Sequence, residues 1–149
     1  MNRQDYQAAL RRVLDRHTDN AQARLAALIA ALPERAREIH VGIFPDQDGE
    51  GTFSVVVSLE GPDLYVLNKA VDAHRTLFDV RHTATGVTPA VPTFAPDRAG
   101  FVVQDAIVDT AADWIEALWA SVGRGKSPLP GLIYGDDDAG TSMPRELPV

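Results

Sequence analysis

Residues 38–60 read EIHVGIFPDQDGEGTFSVVVSLE, and the fold turns on how this stretch divides. Ile39, Val41 and Ile43 alternate with His40, Gly42 and Phe44; after a polar loop, Phe53, Val55, Val57 and Leu59 alternate with Thr52, Ser54, Val56 and Ser58. Apolar residues at a period of two mark a strand with one face buried and one turned outward. A pair of such runs joined by a loop rich in Asp and Gly predicts an antiparallel hairpin. Pairing Phe44 with Thr52 sets Ile43 opposite Phe53, Val41 opposite Val55 and Ile39 opposite Val57, so that one register puts both apolar sets on the same face.

Toward the N-terminus the period changes. Tyr6, Leu10, Val13, Leu14 and His17 recur at helical spacing among Arg11, Arg12, Asp15 and Arg16, which gives a surface helix with one buried stripe. Leu25, Leu28, Ile29 and Leu32 form the stripe of a second helix, ended by Pro33. Thr18-Asp19-Asn20 supplies capping side chains at its start, so an αα-hairpin is expected rather than one continuous helix.

Toward the C-terminus, Gly61-Pro62-Asp63 opens a helix bearing Leu64, Leu67, Val71 and His74 on one face. Leu77 to Thr83 alternates loosely as a third strand. Pro89, Pro92 and Pro96 make residues 84–100 a loop with one short extended piece near Val91 to Phe94. Phe101 to Val103 lead into the clearest helix, near 105–122, with Ile107, Ala111, Trp114, Ile115, Leu118, Trp119 and Val122 as its buried stripe. Its acids Asp105, Asp109, Asp113 and Glu116 come early, Arg124 and Lys126 follow its end, and Gly123 stands where a C-cap belongs. A short apolar run, Leu129 to Tyr134, precedes a tail expected to be loose from about residue 136. Together these elements predict a single α+β domain over residues 1–149. Its mainly antiparallel sheet, of roughly three to five strands, is covered by the N-terminal helices, a middle helix and the long amphipathic helix.

Composition limits what such a domain does. At 149 residues, with 45% hydrophobic and 23% charged residues, the chain has ordinary globular make-up. Folding it would bury roughly 70% of the surface its unfolded form exposes. Asp and Glu number 21 against 14 Lys and Arg, and the net charge of −7 repels nucleic-acid phosphates and anionic lipid headgroups. A protein partner would therefore present a basic surface. The chain has no cysteine, which excludes disulfides, thiolate metal sites and a cysteine nucleophile and suits a reducing compartment. Met1 to Asp5 lead straight into the first amphipathic pattern rather than into an apolar signal segment, and no run approaches the ~20 apolar residues of a membrane span. These features predict a soluble, cytoplasmic protein.

The densest charge cluster is Asp136, Asp137 and Asp138, and Asp46, Asp48 and Glu50 form a second patch. Consecutive acids point in diverging directions, so the first cluster reads as a solvated turn and a binding surface, not as a cation cage. Counted as a calcium loop from Asp46, the sixth position is Gly51, but the twelfth is Val57 in a strand, and the closing glutamate is missing. Gly125-Lys126-Ser127 resembles the end of a phosphate-binding loop, yet Ala120 stands where the pattern needs glycine, a helix precedes it and Pro128 follows. No cofactor or metal is expected.

His17, His40, His74 and His82 form no paired ligand motif. His40 should share a strand face with Ser54 and Ser58, but no G-x-S-x-G elbow accompanies it. Two functions follow. The first is a non-enzymatic protein-binding module using the acidic residues, similar in general character only to small acidic immunity and antitoxin proteins. The second is a small hydrolase or ligand-binding enzyme in which His40, His82 and a carboxylate converge on the open sheet face. Self-association through that face follows if it is apolar, as Phe44 and Val56 suggest.

Overall fold

The computed structural model describes residues 1–149. Helices α1 (Arg3–Arg16) and α2 (Thr18–Ala30) lead into strands β1 (Glu38–Pro45) and β2 (Phe53–Glu60) and helix α3 (Leu64–Ala70). Strands β3 (Thr76–Asp79), β4 (Arg81–Thr83) and β5 (Gly86–Thr88) follow, then helix α4 (Val103–Val122) and strands β6 (Gly131–Gly135) and β7 (Arg145–Leu147). The main sheet has five strands in the order β3-β2-β1-β6-β7, and β4 pairs with β5 in a separate two-stranded ribbon. Every pairing is antiparallel except that of β1 with β6. This is an α+β fold with a mainly antiparallel sheet and a long helix near the C-terminus, as the periodicities predict.

The hairpin forms with its apolar faces together, in a register displaced by two residues. Ile43 lies opposite Val55, Val41 opposite Val57 and Ile39 opposite Leu59. A slip of two keeps every side chain on its face, so hydrophobic patterning alone could not distinguish the two pairings. The loop decides between them. The Asp46 carboxylate accepts the N–H groups of Glu50 at 2.9 Å, Gly51 at 2.9 Å and Thr52 at 3.1 Å. With the Asp46 N–H donating to the Thr52 carbonyl, this closes the turn one step beyond Pro45 and Phe53.

On the inner face, Ile39, Val41, Ile43, Val55, Val57, Leu59 and Ile133 are fully buried. They pack with Tyr6, Leu10 and Leu14 of α1, Leu25 and Leu28 of α2, and Ile107, Ala111 and Ile115 of α4 in one contiguous apolar cluster. Helix α4 is more enclosed than its amphipathic stripe predicts, for Ala106, Val108 and Ala112 are also fully buried. Trp114 and Trp119 are core residues as expected, and both indoles find acceptors: Thr18 Oγ1 at 3.0 Å and the Pro148 carbonyl at 2.6 Å.

Thr18 thus serves a tryptophan instead of capping α2, which has no side-chain cap. The joint between α1 and α2 is the single residue His17, bracketed by His17 N–H to Leu14 and Ala21 N–H to His17 bonds. It makes a bend, and the expected αα-hairpin does not form because a one-residue joint cannot reverse the chain. The residues before α4 also depart from expectation. The strand sought within Leu77 to Thr83 splits into β3 and β4, β4 pairs with a strand at 86–88 inside the supposed loop, and Val91 to Phe94 form no strand.

The stretch from residue 136, expected as a loose tail, is pinned to α4. Asp105 accepts the Gly140 N–H at 2.8 Å, and Asp109 accepts both the N–H of Thr141 at 2.8 Å and its hydroxyl at 2.7 Å. Arg145 donates to Asp113 and Glu116. β7 then pairs with β6, and Leu147 is buried. The acids of α4 read from sequence as complements of the helix dipole are, along one side of the helix, the anchors of this segment. No helix is long and apolar enough to cross a membrane.

Candidate functional site

The parallel pairing of β1 with β6 sets Ile43 beside Gly135, so both strands leave the sheet at the same end. The loop carrying Asp46 and the turn carrying Asp136, Asp137 and Asp138 therefore emerge as neighbours. Helix α4 begins between them, and the result is a cleft of about 420 Å³ whose walls include Asp46, Gln47, Gln104, Asp105 and Asp136 to Asp138. Carboxylates from three separate stretches of sequence meet there. The carboxyl ends of adjacent parallel strands, facing a helix N-terminus, commonly form ligand sites in α/β sheets. Here the positive end of the α4 dipole lies against negative side chains, an arrangement that steadies the carboxylates.

The acids do different work. Asp46 is occupied in closing its loop, and Asp105 holds the Gly140 N–H. Gln104 Nε2 donates to the Gln47 carbonyl at 3.0 Å and ties the helix to the hairpin loop. Asp136, Asp137 and Asp138 are exposed, form a tight turn closed by the Ala139 N–H donating to the Asp136 carbonyl, and make no side-chain hydrogen bond or ion pair within the molecule. Asp137 and Asp138 sit at φ of 54° and 59°, left-handed conformations that Asp tolerates better than most residues. The turn is tight: a Cβ on Gly135 would fall on the Ala139 carbonyl and against Val108.

Of the residues singled out in the sequence, Asp46 joins the Asp136–Asp138 cluster in this cleft. Asp48 lines an adjoining depression of about 400 Å³ that shares Val102 and Gln104 with it, and Glu50 lines neither. Asp105, Gln47 and Gln104 were not anticipated. Asp105 carried a readable signal, an acid in the first turn of a helix, but nothing local indicated which loops that turn would face. No group of three or more His, Asp or Glu side chains is placed to hold a metal ion.

The histidines stand apart from the cleft. His40 lies on the outer sheet face between Glu38 at 3.4 Å and Glu60 at 3.5 Å, opposite Ser58 in register and edge-on to the Tyr134 ring. Burial, then the charges of Asp136 and Glu60, push the Tyr134 phenol above its ordinary value. His82 is on β4 in the separate ribbon and His17 packs edge-on against Phe78. The outer face mixes half-buried Phe44, Val56, Leu132 and Tyr134 with His40, Ser54, Ser58 and Glu60. Gly125-Lys126-Ser127 forms a turn in which Ser127 bonds Leu129 and the Lys126 ammonium donates to the Ser121 carbonyl at 3.3 Å.

A family model described as "Family of unknown function (DUF6389)" matches residues 1–148, and the chain belongs to that family. Neither the curated proteins nor the solved structures include a match.

Proposed function

We propose that the protein is a binding module that takes a basic segment of a partner protein at the acidic cleft, with no chemical step of its own. The observation that carries this reading is the convergence of Asp46, Asp105 and Asp136 to Asp138 on one concavity, with the last three left unpaired. Exposed carboxylates gathered around one recess add their attraction at the same place, so an incoming Lys or Arg gains more there than from a single acid on an open surface. The net charge of −7 adds long-range attraction for a basic partner and repulsion for nucleic acid. The cysteine-free composition fits an encounter in the cytoplasm.

A lysine-rich peptide serves as probe, titrated against the native chain and against a variant with Asp136, Asp137 and Asp138 all changed to Asn. Its affinity for the variant should fall at least about fivefold at low salt, with a flatter salt dependence. A control variant changes the exposed acids Asp19, Glu34 and Glu146 to their amides and loses the same formal charge. An equal loss in both variants would mean that net charge alone attracts the peptide, and the cleft would be discarded as the site.

A further inference from the structure

A second cleft, between α2 and the β3–β4 segment, has the opposite character. It measures about 380 Å³ and is lined by Arg24, Arg81, His17, Asn20, Thr76 and Asp79, with Phe78 beneath. Arg24 is the anomaly. The half-buried arginines of the chain are Arg3, Arg11, Arg24, Arg75 and Arg145. Arg3 pairs with Asp109, Arg11 with Asp15, Arg75 with Asp72, and Arg145 with Asp113 and Glu116. Arg24 has no carboxylate within 4.0 Å and makes only one long bond, 3.5 Å, to the Ala73 carbonyl.

In a chain with half again as many acids as bases, the one half-buried guanidinium without a carboxylate faces a recess. Its donors are planar, fixed in a fork and always charged, which suits them to two oxygens of one oxyanion. Arg81 stands on the same rim with its charge offset by Asp79 at 2.6 Å, and the Asn20 amide, the Thr76 hydroxyl and the His17 ring add further polar groups. The cleft volume is that of a site for a small molecule. The overall negative charge opposes an anion only at long range, and salt screens that repulsion within about 8 Å.

From these observations we infer that this cleft binds a small anion through a carboxylate or phosphate group, with Arg24 as its principal contact. The inference is independent of the acidic cleft and stands or falls without it.

The test is an amide-resolved NMR titration of the full chain with inorganic phosphate and, separately, with acetate, each up to about 50 mM, in a range suited to weak anion binding. At least one anion should give saturable shifts at His17, Asn20, Arg24 and Thr76, and the stronger of the two identifies the oxyanion. Arg24→Gln keeps a good helix former on α2, so its spectrum should remain that of the folded protein, and it should weaken binding by about tenfold or more, the worth of one charge-assisted bond. Arg35→Gln, at an exposed arginine outside the cleft, should leave the affinity unchanged. No saturable shift with either anion, or a shift that Arg24→Gln does not weaken, would overturn the assignment.

Discussion

Tyr6 shows what single side chains concede to this core. The residue is fully buried, its ring meets Phe94 edge-on with centroids 5.3 Å apart, and its hydroxyl has no hydrogen-bond partner. Burial first, and then the nearby charge of Asp46, push the phenol well above the ordinary value of 10.0. Above about pH 10 the unfolded chain releases this proton while the folded chain cannot, so stability falls as pH rises, by up to about 1.4 kcal/mol per pH unit. Tyr6→Phe removes both the unsatisfied hydroxyl and this loss. Its urea midpoint should exceed that of the native protein at pH 7 by the equivalent of about 1 kcal/mol, and the gap should widen between pH 10 and pH 11. A variant less stable at neutral pH would show that the hydroxyl has a partner after all.

At the scale of elements, α4 combines a buried stripe with a row of anchoring acids. Arg145 is the far end of that row, its side chain 18% exposed between the more open Asp113 and Glu116. Arg145→Ala should cost about 1 kcal/mol, in keeping with partly solvated pairs, and the loss should be local. Hydrogen exchange at the amides joining β6 to β7 should quicken, while those of α4 and the β1–β2 ladder keep their protection. What could be read from the sequence at this scale follows from the range of each signal. Period two in Ile39 to Leu59 and period 3.6 in Ile107 to Trp119 are local, and they identify the hairpin and the helix. The register of the hairpin depends on which backbone groups Asp46 captures, and two registers satisfy the same pattern. The anchoring of residues 136–149 depends on partners about 30 positions earlier, for which Thr141 and Arg145 carry no local mark.

The whole molecule sets acidic and basic recesses on one framework, and neither was visible as a recess in the sequence. Asp136 to Asp138 stood out as a cluster, but their meeting with Asp46 and Asp105 required the parallel contact of β1 with β6, which no periodicity encodes. Arg24 lies outside the Leu25, Leu28, Ile29 and Leu32 stripe of α2 and carries no local mark, and its isolation becomes apparent only when every other half-buried arginine has been matched to an acid. The same parallel contact predicts how the fold fails. A chain cut after Gly125 retains α1 to α4 but removes β6 and β7, leaving the edge of β1 unpaired and Ile133 and Leu147 missing from the core. Such a fragment should lack dispersed NMR signals and associate in solution; a well-dispersed spectrum would show that the first three strands suffice. For a ribosome the arrangement has a cost in time. The central strand is synthesised early, yet its neighbour on one side arrives only after a long helix has followed, so the nascent chain carries an unzipped, hydrophobic edge through most of its translation and depends on the late arrival of residues 131–147 to close it.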